Sequence, residues 1–122
     1  MHLLAESKHY VVYNEYESVI LEFKGSDRKI LIGDFYGDPQ MAIISEDEKV
    51  CIMCGCGLII YYLREPYMEY TYHTQSKQWS EWGRSETEVW IESVQFVNDE
   101  TIEILTEEGE NTTVGVWNLA GD

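Results

Sequence analysis

Three cysteines, Cys51, Cys54 and Cys56, form a C-x2-C-x-C cluster, the kind of grouping that invites a zinc centre. Structural zinc takes four ligands in a tetrahedron. The chain has no second cysteine pair, and His2, His9 and His73 are remote in sequence. On an extended strand Cys51 points opposite to Cys54, and such close neighbours do not reach relaxed disulfide geometry. The cluster therefore reads as small buried apolar side chains beside Gly55 and Gly57. No metal and no cofactor is expected. Gly55-Cys56-Gly57 is not a phosphate cradle either, because no Lys-Ser/Thr pair and no helix follows it. Its glycines read as a bulge or a tight crossing.

Nucleophilic catalysis needs a Ser, Cys or Thr close to a His that a third group orients. The three histidines are scattered, and His73, within Tyr70-Thr71-Tyr72-His73, reads as a surface residue at a strand end. Carboxylates are so frequent, at 23 in 122 residues, that any one pair of them says little. Nothing marks the deep cleft that a glycosidase sets its two carboxylates in. The chain is read as a non-enzyme, with no catalytic residue assigned. Nine Tyr and four Trp are a larger resource. Tyr61, Tyr62, Tyr70, Tyr72, Trp79 and Trp82 read either as anchors of a binding surface or as cover for the open ends of a core.

The charge is the most informative feature. Eight basic residues against 23 acidic ones give a formal charge of -15. That sign disfavours contact with nucleic acid or anionic lipid and suits a basic protein partner, since complementary fields speed encounter. Residues 1–84 hold all eight Lys and Arg and 13 acids, whereas residues 85–122 hold ten acids and no cation. The C-terminal third is thus expected to present a surface of one sign.

The elements that position these residues follow strand periodicity. In Ser18-Val19-Ile20-Leu21-Glu22-Phe23-Lys24 the odd positions face one side, Gly25-Ser26-Asp27 turns, and Lys29-Ile30-Leu31-Ile32 pairs back. Residues 34–39 read as a loop. Met41-Ala42-Ile43-Ile44 and Val50-Cys51-Ile52-Met53-Cys54 flank a turn at Glu46-Asp47-Glu48. Residues 58–63 are apolar on both faces and so belong inside a sheet. Tyr67 to Tyr72 reads as an edge strand, and Gln78 to Gly83 as a strand or one helical turn. The apolar phase changes near Glu92-Ser93, which predicts a β-bulge. Thr101-Ile102-Glu103-Ile104 alternates, Glu107 to Asn111 turns at Gly109, and Thr113 to Leu119 is the last strand. No apolar stripe of helical period exists. The expected fold is one all-β domain over residues 1–122, a predominantly antiparallel sandwich or barrel of about eight to ten strands with little helix. The longest apolar run is far short of the ~20 residues a membrane helix needs. The N-terminus lacks a basic-then-apolar pattern, and three reduced thiols fit a reducing compartment, so a cytoplasmic location is expected.

An acidic run passes through Glu86, Glu88, Glu92, Asp99, Glu100, Glu103, Glu107, Glu108 and Glu110. On that run, the chain resembles in type the small acidic β-domain immunity proteins of bacterial toxin–immunity systems. The resemblance implies binding to a basic toxin domain, a nuclease by preference, and neutralising it by covering an essential surface. Outward carboxylates are expected at Glu88, Glu92, Glu103, Glu107 and Glu108, with Trp82 and Trp90 as adjacent anchors. The alternative reading is a small-ligand or glycan-binding β module that uses its Tyr and Trp as stacking platforms.

Overall fold

The computed structural model describes residues 2–72, 74–84 and 88–117; His73 and Glu86, both singled out above, lie outside them, as do Asn118 and Leu119. Eleven strands form three antiparallel sheets, with no helix among the described residues. The first is a meander of β1 (His2–Glu6), β2 (Tyr10–Glu15), β3 (Ser18–Phe23) and β4 (Lys29–Asp34). The second runs through β5 (Met41–Ile44), β6 (Val50–Gly55), β7 (Gly57–Tyr62) and β8 (Trp79–Trp82) in chain order. The third has β10 (Thr101–Thr106) between β9 (Ile91–Asn98) and β11 (Asn111–Gly115).

The second sheet is the middle layer of three. Cys51, Met53, Ile59 and Tyr61 on one face pack with Val12, Val19, Leu21, Ile30 and Ile32 of the first sheet. Val50, Ile52, Cys54, Leu58, Ile60 and Tyr62 on the other face pack with Ile91, Val94, Ile102 and Ile104 of the third. Every residue of β6 and β7 is buried, which is why both strands read as continuous apolar runs rather than alternating ones. Each such Ile or Leu contributes about 1.5–3 kcal/mol by leaving water. The outer sheets bury one face each and alternate, as along β10, where Ile102 and Ile104 are buried between half-buried Thr101, Glu103 and Leu105.

The layers are open stacked sheets, so of the two expected architectures the sandwich is the one formed. The expected bulge is present: β9 pairs Ser93 with Leu105 and Ile91 with Thr106, leaving Glu92 as the extra residue. Of the residues read as a strand or a helical turn, Trp79–Trp82 form strand β8. Two readings need correction. Tyr67 to Tyr72 forms no strand. Instead Tyr70 and Trp79 are buried and Tyr67 packs against the core, so these rings cover a layer rather than face a partner. The last strand is Asn111–Gly115, earlier than expected, because it pairs residue by residue with β10 from Leu105 back to Thr101.

Short connections gather the strand ends at two poles. One pole is fastened by the N–H of Phe35 to the carbonyl of Glu17 (2.9 Å), Gln40 to Cys54 (2.7 Å), Gly57 to Val89 (2.8 Å) and Glu107 to Trp90 (3.0 Å). At the other, Leu63 N–H donates to the Lys49 carbonyl (2.9 Å), Arg28 meets Glu65 at 3.2 Å, and the Tyr62 hydroxyl donates to the Val116 carbonyl (2.8 Å).

This second pole carries a carboxylate clamp. Ser7, the His9 N–H (2.9 Å) and the His9 ring Nδ1 (2.6 Å) all meet Glu48, tying the β1–β2 turn to the β5–β6 turn. Burial pushes the Glu48 carboxyl up, but the hydrogen bonds from Ser7 and His9 together outweigh it and hold the group at about 2 against an ordinary 4.5. A carboxylate with a depressed folded value stabilises the fold above its unfolded value and loses that contribution as pH falls through the folded one. Glu48→Gln should therefore flatten the loss of stability between about pH 5 and pH 2, by about 1 kcal/mol given the partly solvated setting. Urea midpoints measured across that range check it; parallel curves for the two proteins would show that the clamp contributes nothing.

Candidate functional site

Seven of the eight Lys and Arg residues lie at the second pole: Lys8, Lys24, Arg28, Lys29, Lys49, Arg64 and Lys77 stand in its turns or at its strand ends. Several are paired there, Lys24 with Glu6 at 2.7 Å and Arg28 with Glu65 at 3.2 Å. The first pole holds the remaining cation, Arg84, which is buried. The same pole carries Glu15 and Glu17 at and after the end of β2, Asp34 and Asp38 at and after the end of β4, and Glu107, Glu108 and Glu110 of the β10–β11 turn. The cations are thus gathered at one end of the strands, whereas carboxylates stand at both, Glu46, Glu48, Glu65, Asp99 and Glu100 among those at the second pole.

The expected residues fall as follows. Glu88, Glu92, Glu107 and Glu108 are exposed and converge on the acidic pole. Glu92 stands close enough to Cys54 to add to the rise of its pKa. Glu103 is elsewhere, half-buried midway along β10, where its Oε1 accepts a hydrogen bond from Gln95 (2.8 Å). Asp99 and Glu100 turn at the opposite pole. The C-terminal third therefore does not present one acidic face, because its hairpins send acids to both ends. Trp82 lies opposite Leu58 and packs against the core, and half-buried Trp90 bridges to Cys56. The large side chains left in water at this pole are instead Tyr16 (89% exposed) and Tyr36 (79%), with Tyr72 at 47%. Tyr16 also takes a positive φ of 57°, a left-handed conformation that costs a bulky residue about 1–2 kcal/mol.

At the centre of the pole is a cleft of about 210 Å³ lined by Glu17, Asp34, Phe35, Tyr36, Tyr72, Arg84 and Glu88. Arg84 forms its floor. Its Nη1 donates to the Cys56 carbonyl (2.8 Å) and its Nη2 to the Asp34 carbonyl (2.7 Å), joining β4 to the β6–β7 turn. Its Nε lies 3.1 Å from Glu81 Oε2, an ion pair whose angle makes no hydrogen bond. The guanidinium stands 4.7 Å from the Phe35 ring centroid and 5.6 Å from that of Tyr72. Glu81 also accepts from the Tyr70 hydroxyl, whose pKa rises through burial first and then through that carboxylate. Glu17 is fixed on the rim by the Gly37 N–H (2.7 Å).

Sequence reasoning found Glu88 and missed Glu17, Asp34, Tyr36 and Arg84. The loop at residues 34–39 was legible, with two Asp and a Gly around Tyr36. Its meeting with Arg84 and Glu88 was not, because nothing in the local pattern records contact across 50 residues.

Burial pushes Cys51 and Cys54 up to about 12, so both stay protonated. Burial, then the hydrogen bond and charge of Glu88, raise Cys56 as well. Among the described residues no group of three or more His, Cys, Asp or Glu is placed to hold a metal ion, and no helix is long and apolar enough to cross a membrane. Comparison of the chain with protein-family models, curated proteins and solved structures finds no match.

Proposed function

We propose that this chain is an immunity-type binding protein that captures a basic toxin domain with its acidic pole. One observation carries the reading. Three layers of sheet deliver carboxylates from separate turns to an end whose one Lys or Arg, Arg84, is buried, the other seven cations lie at the opposite end among the carboxylates there, and the largest exposed rings stand at the first end. Unpaired carboxylates of one sign steer a basic partner and oppose an acidic one. Tyrosines among them provide contact area at small entropic cost and slow release. A nuclease is the favoured partner, because an enzyme that grips phosphates presents Arg and Lys that carboxylates can engage in their place. Of the rings the alternative glycan module would use, Tyr70 and Trp79 are enclosed in the core, and the exposed Tyr16, Tyr36 and Tyr72 share their pole with carboxylates.

The test is neutralisation. The reading expects the reading frame next to this one to encode a large protein with a basic C-terminal domain. Co-expressing that domain with this chain should restore growth and yield a complex on gel filtration. Growth arrest unrelieved by the chain, with the two proteins eluting apart, would overturn the proposal.

A further inference from the structure

We infer that the cleft over Arg84 is a receptor for one arginine side chain of the basic partner, an inference that rests on the function proposed above and names what the site takes. At about 210 Å³ the cleft is smaller than the ~300–1,000 Å³ of drug-sized ligand sites, which suits a single side-chain head group. Its walls combine rings with carboxylates: exposed Tyr36 and half-exposed Tyr72 beside Glu17, Asp34 and Glu88, with Phe35 buried beneath Arg84. That pairing recognises a flat cation, since a guanidinium stacks on ring faces and reaches carboxylates through a planar fork of N–H donors.

Arg84 does not reverse the sign of the site. Its charge is met by Glu81 at 3.1 Å, and both terminal nitrogens are engaged by the Cys56 and Asp34 carbonyls. Three wall carboxylates thus remain against a cation already matched. Arg84 also shows what these surroundings accept, for its guanidinium lies 4.7 Å from Phe35 and 5.6 Å from Tyr72. A second guanidinium entering from solvent meets Glu88 and Glu17 at the rim. An anion would meet the same carboxylates and be repelled. An ammonium carries the charge but neither the plane nor the fork, so the cleft prefers arginine to lysine.

The test is an NMR titration of the folded chain with N-acetyl-arginine methylamide, read at the Asp34, Tyr36, Gly37 and Arg84 amides. Three probes run in parallel: the lysine analogue, the neutral citrulline analogue of the same shape, and sodium chloride. Saturable shifts confined to the cleft are expected for arginine, weaker ones for lysine and none for citrulline or salt. Glu88→Gln should weaken arginine binding roughly tenfold, as loss of a charge-assisted hydrogen bond does. Glu17→Gln should act likewise, and Glu88→Gln keeps the test sound if loss of the Gly37 contact disturbs the loop. Shifts equal for arginine and citrulline, or unchanged by both variants, would overturn the inference. So would full toxin neutralisation by a Glu17→Gln/Glu88→Gln chain that no longer binds arginine, an outcome that leaves the immunity reading standing. If the co-expression experiment instead fails while arginine still binds, it is the immunity reading that falls.

Discussion

Reversing Glu107, Glu108 and Glu110 together to lysine should slow association with the proposed basic toxin domain by about tenfold or more at low salt, with a smaller effect on dissociation. The three sit in the exposed β10–β11 turn, beside the acidic pole and away from the buried layers, so the fold should be little disturbed. The decisive comparison is an equal charge change at the other pole, Glu46, Asp99 and Glu100 to lysine. If steering depended on net charge alone, the two triple variants would behave alike. On the proposal that the carboxylates of the first pole face the partner, the first variant should be much slower. The gap should close as salt rises, since the Debye length falls from ~10 Å at 0.1 M to ~3 Å at 1 M. Stopped-flow association rates across that range read the effect directly. Equal rates for the two variants at low salt would remove the acidic pole as the docking surface.

Gly57→Ala should be the most damaging small substitution at this pole, at about 3 kcal/mol or more. Gly57 adopts a φ of +86°, which L-residues avoid. A Cβ there would also stand 1.9 Å from Arg84 Cγ, 2.8 Å from Arg84 Cδ and 3.0 Å from the Gly83 carbonyl oxygen. Arg84 is poorly able to retreat, because two carbonyls hold its guanidinium and the rings of Phe35 and Tyr72 flank it. Gly109→Ala separates the two costs. Its φ of +88° is similar, but nothing lies within 4 Å of the added carbon, so only the backbone cost of about 1–2 kcal/mol applies. Urea midpoints of the two variants check the difference. A Gly57→Ala protein no less stable than Gly109→Ala would mean that Arg84 is not held, and that the floor of the cleft is adjustable.

Much of the layer structure was legible from periodicity. β3, β4, β5, β6, β7 and β10 were readable because a strand with one buried face writes its pattern every second residue and one buried on both faces reads as a continuous apolar run. The doubly apolar run at Leu58-Ile59-Ile60 announced an interior strand, and the phase change at Glu92 announced the bulge. The segment from Tyr67 to Tyr72 was misread because aromatic spacing is the same whether rings line an edge strand or fold back over a core. Only long-range contact settles that, as where the Tyr70 N–H donates to the Leu31 carbonyl at 2.9 Å.

The sequence by itself determined an all-β chain with an acidic excess and with cysteines suited to burial, since composition and alternation are local properties. Where the charge goes was decided by tertiary structure. Each hairpin reverses the chain, so residues adjacent in sequence part toward opposite poles: Asp99 and Glu100 to one, Glu107 and Glu108 to the other. The same reversals bring Glu17, Asp34 and Glu88 to one cleft around a buried Arg84. Stacking three sheets fixed which strand ends coincide, and that is settled by how the two faces of β6 and β7 are covered rather than by any local pattern.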